Sequence, residues 1–348
     1  GFQGDPTKVS ADEHFFIVIH QVYELWFKLA LRDLSEVRDS LGVDRVSAQA
    51  VSTSVGLLRR VVATLEMTLQ QFELLTNLEP QSFLAFRDTL RPASGVQSYQ
   101  WRMIECMMGL SQSERDEATS RLGDMTCRHS KQFVEVVNRP LEACKRMMSK
   151  CPMEATDDET TAKIEAFEED LREHGTIREV VFGWLARLPI HMIDESAEEM
   201  IQTDSTSWAC KQRFLDKYLE NSPSNQRALL ELLDKGDDAF RKAMIGLLAV
   251  ETYPDFPIFQ APHALIEAIV RVDSAMTTWR HLHARVVERT IGVRSGTMGS
   301  GGYGALDVVR DTFRLFPEIP VVRGALILGR DVPLLNARAY GFVSSWAA

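Results

Sequence analysis

Apolar positions recur every three or four residues along most of the chain, and that helical period is its main structural signal. From Ser10 to about Leu41, the residues Phe16, Ile19, Tyr23, Trp26, Ala30 and Leu34 form one stripe of an amphipathic helix. Ser10 followed by Glu13 is a capping box that marks its start. A second long run covers about 47–75, and shorter ones cover about 80–90, 97–110, 127–150 and 158–174. The segment from about 176 to 252 predicts several more helices. Another long one is expected over 261–294, entered after Pro254, Pro257 and Pro262. No segment alternates convincingly as a strand would. The pattern predicts an all-α fold, a bundle of long helices in a single domain over 1–348. A smaller helical excursion is expected at about 115–250, and the tail over 331–348 is weakly patterned.

The conspicuous irregular segment is Gly-rich, Gly296 to Gly304, and reads as a functional loop. Gly299, Gly301 and Gly304 satisfy the dinucleotide spacing G-x-G-x-x-G, but that motif works only between a strand and a helix, so it is set aside. The 348 residues, 45% hydrophobic and 25% charged, are enough to build a core that encloses a cofactor. With 49 acidic against 39 basic residues, the net charge of -10 repels phosphate backbones, so nucleic acid is not expected as a partner. Five scattered cysteines without a C-x-x-C pair indicate neither a disulfide framework nor a zinc knuckle, and a cytoplasmic location fits. Charges interrupt every apolar stretch before the ~20 residues of a membrane span, so no membrane association is expected. The amino terminus does not read as a signal peptide, and a chain beginning at Gly1 can have lost upstream residues.

Eight histidines are the candidates for metal or acid–base chemistry. None has a glutamate three positions before it, which removes the helical di-iron signature, and H-E-x-x-H is absent. His281 and His283 lie two apart on a helix, so their side chains diverge and cannot chelate one ion. A single-histidine site survives, and a large planar cofactor such as haem needs only one protein ligand. His283, with Trp279 four positions before it and Val286 and Val287 beyond, could offer an imidazole in an apolar wall; a core or solvated histidine fits the same pattern. His20, among Phe16, Tyr23 and Glu24, could be a polar group in an apolar pocket or a satisfied core histidine. Arg87, beside Phe83, Phe86 and Leu90, could hold a carboxylate as a fork, or pair with Asp88.

Four strings in order resemble the tryptophan 2,3-dioxygenase family: DEHFFIVIHQVYELWFKLAL at 12–31, FRDTLRPASGVQSYQWR at 86–102, WRHLHARVVERTIGVRSGTMGSGGYG at 279–304 and LFPEIPVVR at 315–323. The resemblance implies a ferrous b-type haem with His283 as its axial ligand and dioxygen as co-substrate. Trp279 and Ser94 would lie on the cofactor side, the latter near the haem propionates. By the same comparison His20 is the distal histidine, and Phe16, Phe83 and Leu90 wall the indole. Arg87 matches the arginine that holds the substrate carboxylate, and Thr297 the threonine that touches its ammonium and carboxylate. A homotetramer is the family's usual assembly.

Two positions depart from the family pattern: Met298 stands where the loop usually has glycine, and Arg91 precedes Pro92 where a small residue is common. The Tyr-containing segment that the family carries upstream of its first helix is not seen in the residues before Asp12. The expected function is therefore a haem-dependent oxygenase that inserts oxygen at the indole 2,3 bond of L-tryptophan or a tryptophan-derived indole carboxylate. One alternative is a monooxygenase or ring-rearranging enzyme of a biosynthetic pathway, acting on a modified indole. Another, of a different class, is a haem-free helical binding module.

Overall fold

The computed structural model describes residues 9–90, 98–123, 130–148, 157–190, 206–220, 226–294 and 302–335. The helices are α1 (Ala11–Leu41), α2 (Ala48–Leu75), α3 (Pro80–Phe86), α4 (Tyr99–Met108), α5 (Gln112–Gly123), α6 (Ser130–Asn138), α7 (Pro140–Met148), α8 (Asp157–His174) and α9 (Ile177–Ala186). They continue as α10 (Trp208–Glu220), α11 (Arg227–Asp234), α12 (Asp238–Thr252), α13 (Pro257–Ile291), α14 (Gly302–Thr312) and α15 (Glu318–Gly324). The fold is all-helical, with no β-strand among the described residues. None of the described helices is long and apolar enough to cross a membrane.

The capping box forms: the Glu13 amide donates to Ser10 Oγ at 3.1 Å, satisfying one of the free donors at the start of α1. Along α1 the buried apolar residues are Ile19, Tyr23, Phe27, Ala30, Leu34, Val37 and Leu41, the spacing of three and four that the pattern implied. Phe27 rather than Trp26 takes the inward position, one residue on from the expected one. On α2, Ala50 N donates to Ser47 Oγ at 3.1 Å, so Ser47 caps the start of the helix.

Three boundaries differ from expectation. The run 127–150 is two helices, because Pro140 has no N–H to continue the first and instead opens the second at its favoured first position. The helix α3 stops at Phe86 instead of continuing to 90; Arg87 caps it and Thr89 Oγ1 donates to the Phe86 carbonyl at 2.6 Å. The long helix α13 starts at Pro257 and carries Pro262 inside it, where a proline in the second turn costs one hydrogen bond near a helix end. The short helices α5, α14 and α15 were not read from the pattern.

The chain packs as two compact units. The first comprises 1–39, 56–177 and 269–315, and the second 40–55, 178–268 and 316–348. In the first, buried Asp33 of α1 accepts from Arg60 Nε of α2 at 2.6 Å, and Arg38 pairs with Asp170 of α8 at 2.5 Å. In the second, Gly246 of α12 passes so close to α9 that an added Cβ would lie 2.2 Å from the Leu185 carbonyl oxygen. Only glycine permits that approach. The buried Lys211 donates to the same oxygen at 3.3 Å; burial, and then the charge of Lys242, bring its ammonium down to about 7.

Candidate functional site

In the first unit, α1 projects Phe16, His20, Tyr23 and Phe27 from successive turns. Leu78, Phe83 and Phe86 form a buried apolar cluster, and Phe16, Leu90 and Ile291 pack against it, partly buried. The Phe16 ring lies 5.4 Å from Phe83 and 5.8 Å from Phe86, and 4.1 Å from the His20 imidazole. Three of the residues expected to wall an indole, Phe16, Phe83 and Leu90, are therefore brought together. Arg87, half-buried, follows this cluster at the cap of α3.

The His20 ring has a defined tautomer. Its Nδ1 is 2.7 Å from the Phe16 carbonyl oxygen, which can only accept, so Nδ1 carries the proton and Nε2 keeps a lone pair. Burial among protein atoms lowers its pKa, against the raising effect of that hydrogen bond, and the ring is neutral at pH 7. Yet His20 stays accessible at its surface, as a side chain lining a concavity does.

His283 lies on α13, half-buried, while His281 points out and is exposed, the divergence expected of residues two apart on a helix. Desolvation pushes the His283 pKa down to about 4, assisted by the charges that His20 and Arg102 would place near it. The imidazole is thus held with its lone pair available, the form a metal requires. Around it the rings are continuous. Trp279 is 5.1 Å away and Phe72 of α2 is 6.3 Å away; Tyr23 lies 5.5 Å from Phe72 and 6.2 Å from His20.

Two polar atoms in this lining are buried without a partner among the described residues, the Tyr23 hydroxyl and Trp279 Nε1. Burial raises the Tyr23 pKa, so its hydroxyl keeps its proton. Buried donors normally find an acceptor, so a pair of orphans beside two neutral imidazoles fits a polar planar group between these elements. The donor set, a single available imidazole in an aromatic cage, suits haem and does not suit a multi-ligand ion.

Behind Trp279 the wall is polar and tightly satisfied. Trp101 of α4 stacks on Trp279 with centroids 4.2 Å apart and donates its Nε1 to Glu105 at 3.1 Å. Glu105 is fully buried and also accepts from Arg102 at 2.8 Å and Arg280 at 3.0 Å. Burial alone would raise its pKa, but Arg102, Arg280 and Arg115 outweigh that and hold it ionised. Burial likewise draws Arg280 down despite Glu105, from a starting point so high that the guanidinium stays charged.

Glu24, one residue past Tyr23, accepts from Ser98 Oγ at 2.5 Å and Gln100 Nε2 at 2.7 Å, which fastens the start of α4 to α1. Ser94 and Thr297, together with Met298, Arg91 and the Gly-rich loop to Gly301, lie outside the described residues. Tyr23, Phe72, Trp101, Glu105 and Ile291 were not singled out from the sequence as site residues.

The described residues thus form an all-helical protein in which rings surround one neutral imidazole, His283, and a second, His20, lies beside an apolar cluster. Comparison with known proteins narrows the class. The tryptophan 2,3-dioxygenase family model matches residues 3–326, and the chain belongs to that family. It is 33% identical to tryptophan 2,3-dioxygenase 2 of Ralstonia nicotianae, over 98% of this chain and 93% of that protein. To the tryptophan 2,3-dioxygenase of Sorangium cellulosum it is 29% identical over 98% of this chain and 83% of the relative. For that of Anopheles gambiae the identity is 28%, over 93% and 81%.

Proposed function

We propose that the chain holds a b-type haem through His283 and acts as an oxygenase at the indole 2,3 bond of L-tryptophan or a tryptophan-derived indole carboxylate. The observation that carries this reading is the pairing of two neutral imidazoles, His20 and His283, in one ring-lined region that contains two unpartnered buried donors. When bound, haem supplies the ferrous iron at which dioxygen is activated.

The protein's part is mainly positioning. Phe16, Phe83 and Leu90 offer an apolar slot that desolvates a flat ring. Arg87, at the edge of that slot, holds the carboxylate by a charge-assisted fork, which fixes the ring's direction. His20, with Nδ1 committed to the Phe16 carbonyl, presents Nε2 as an acceptor for the indole N–H. A neutral imidazole in that role orients the substrate without having to take its proton. Trp279 backs the His283 ring, and the Trp101–Glu105–Arg280 assembly keeps Trp279 in place. Ser94 and Thr297 complete the proposal on the propionate and amino-group sides, and a homotetramer is the proposed assembly.

The test is anaerobic reduction of haem-loaded protein, addition of L-tryptophan, then labelled dioxygen, with products weighed by mass spectrometry. A gain of two labelled atoms is the expected result. A gain of one would replace ring cleavage by monooxygenation, the reading that Met298 in the loop favours. A protein without a Soret band after haem supplementation would end the oxygenase reading, and His283→Ala should lose that band while wild type keeps it.

A further inference from the structure

The second unit holds a cluster of metal-ligating side chains that the haem site does not use. Glu251 near the end of α12, and His263 and Glu267 on α13, each place one ligand atom within 4.8 Å of the others. His263 and Glu267 are four residues apart and so share one face of the helix. Arg323 of α15 ties the two carboxylates together: Nε and Nη2 donate to Glu251 at 2.9 and 3.0 Å, and Nη2 also bonds Glu267 Oε1. One guanidinium cancels only one of the two carboxylate charges.

An ion pair accounts for Arg323 and Glu251. It does not account for His263, a half-buried imidazole with no hydrogen bond found among the described residues, whose ring nitrogen lies within 4.8 Å of an oxygen of each carboxylate. We propose that Glu251, His263 and Glu267 form a binding site for a borderline divalent cation, with Zn2+ as its type. One imidazole and two carboxylates are a ligand set that such ions accept.

Each carboxylate oxygen has two lone-pair directions, so Glu251 can keep Arg323 and still turn an oxygen toward the ion. Bonds of about 2.0–2.2 Å put tetrahedral ligand atoms roughly 3.3–3.6 Å apart, so side-chain rotation has to draw the three in by roughly an ångström. Arg323 orients both carboxylates from behind, as a hydrogen-bonding partner outside the ligand set does. The bound ion joins α12 to α13 directly and to α15 through Arg323.

The test uses haem-loaded protein dialysed against a chelator and titrated with zinc chloride in competition with a chromophoric zinc indicator, with metal counted by plasma mass spectrometry. Wild type should take up one zinc per chain, in addition to its haem iron, and melt at a higher temperature with zinc than without. His263→Ala and Glu267→Gln, each checked for native helicity by circular dichroism, should each weaken zinc binding by at least about tenfold and lose the thermal shift. The proposal is overturned if wild type binds no stoichiometric zinc, or if either folded variant keeps wild-type affinity.

Discussion

Replacing Glu105 by glutamine tests the polar wall behind Trp279. The substitution keeps the side chain's shape and removes one charge from a site where Glu105 is fully buried and Arg280 nearly so. Arg280 would then face Phe313 O at 3.4 Å, the Phe313 ring at 5.4 Å and Trp101 at 6.0 Å, none of which carries a compensating charge. Removing one partner of a buried ion pair costs about 3–5 kcal/mol. Asp273 also acts on Arg280, and Arg102 is partly exposed, so the lower end, about 3 kcal/mol, is expected here. With an unfolding entropy of about 2.1 cal/mol/K per residue, a chain of 348 residues shifts by about 1.4 °C per kcal/mol, so the unfolding midpoint should fall by roughly 4 °C.

The pH dependence provides a second check. Because the folded-state pKa of Glu105 is depressed, its contribution is present above the ordinary glutamate range and disappears as pH falls through the folded value. The difference between wild type and Glu105→Gln should therefore be full at pH 7 and shrink in acid below about pH 4. Urea unfolding followed by tryptophan fluorescence at both pH values measures it. A loss under about 1 kcal/mol at pH 7, or a loss that does not change in acid, would refute the assignment of Glu105 as the essential counter-charge.

The other predictions bear on the substrate slot, the imidazoles and the second unit. Arg87→Met should raise the KM for L-tryptophan by about 10- to 100-fold, the loss of a charge-assisted contact of about 1.5–3 kcal/mol, and should leave indole without a carboxylate unaffected in steady-state turnover. In the haem-free protein, His20 and His283 both have folded pKa values below the unfolded value of 6.5, His283 at about 4. The unfolded chain thus takes up protons that the folded one refuses, so denaturation midpoints should fall as pH drops from 6.5 toward 4 and owe nothing to these groups above that range. His283→Phe should flatten part of that slope. Gly246→Ala places a Cβ 2.2 Å from a backbone oxygen that cannot rotate away, so it should destabilise the protein by about 1–3 kcal/mol in thermal unfolding, where an ordinary helix Gly→Ala change stabilises.

Why some of this was legible in the sequence and some was not depends on how far apart the cooperating residues lie. The face of α1 is readable because Phe16, Ile19, Tyr23, Ala30 and Leu34 repeat at helical spacing on one element, and Ser10 and Glu13 announce where it begins; Phe27, which packs inward in place of the expected Trp26, was missed. His283 and His281 are told apart as diverging by helix direction, since two residues apart means opposite faces, and the family resemblance is what picked His283 as the inward one. The polar helix α5 buries only a few residues, Ala118 and Leu122 among them, so its period is faint. Its start did carry a signal, a second capping box in which Ser111 N donates to Glu114 at 2.9 Å. Pro140 was an equally plain mark for the break between α6 and α7.

What closes the site has no local signature. Phe72 reaches His283 from α2, Trp101 and Glu105 reach Trp279 and Arg280 from α4, and Ile291 packs from the far end of α13 on the cluster that Phe16 also meets. Each is one apolar or charged residue among many at a suitable helical position, and only tertiary packing selects it. The residues singled out from the sequence are those expected to touch ligand directly, most of them within the four family strings. Those missed hold them in place from behind. That division has a physical reason: a group that meets a ligand is constrained in chemical type, whereas a supporting group is constrained chiefly in volume and partner. Trp101 shows the point, since its ring need only fill the space against Trp279 and its N–H need only find a buried acceptor, which Glu105 supplies.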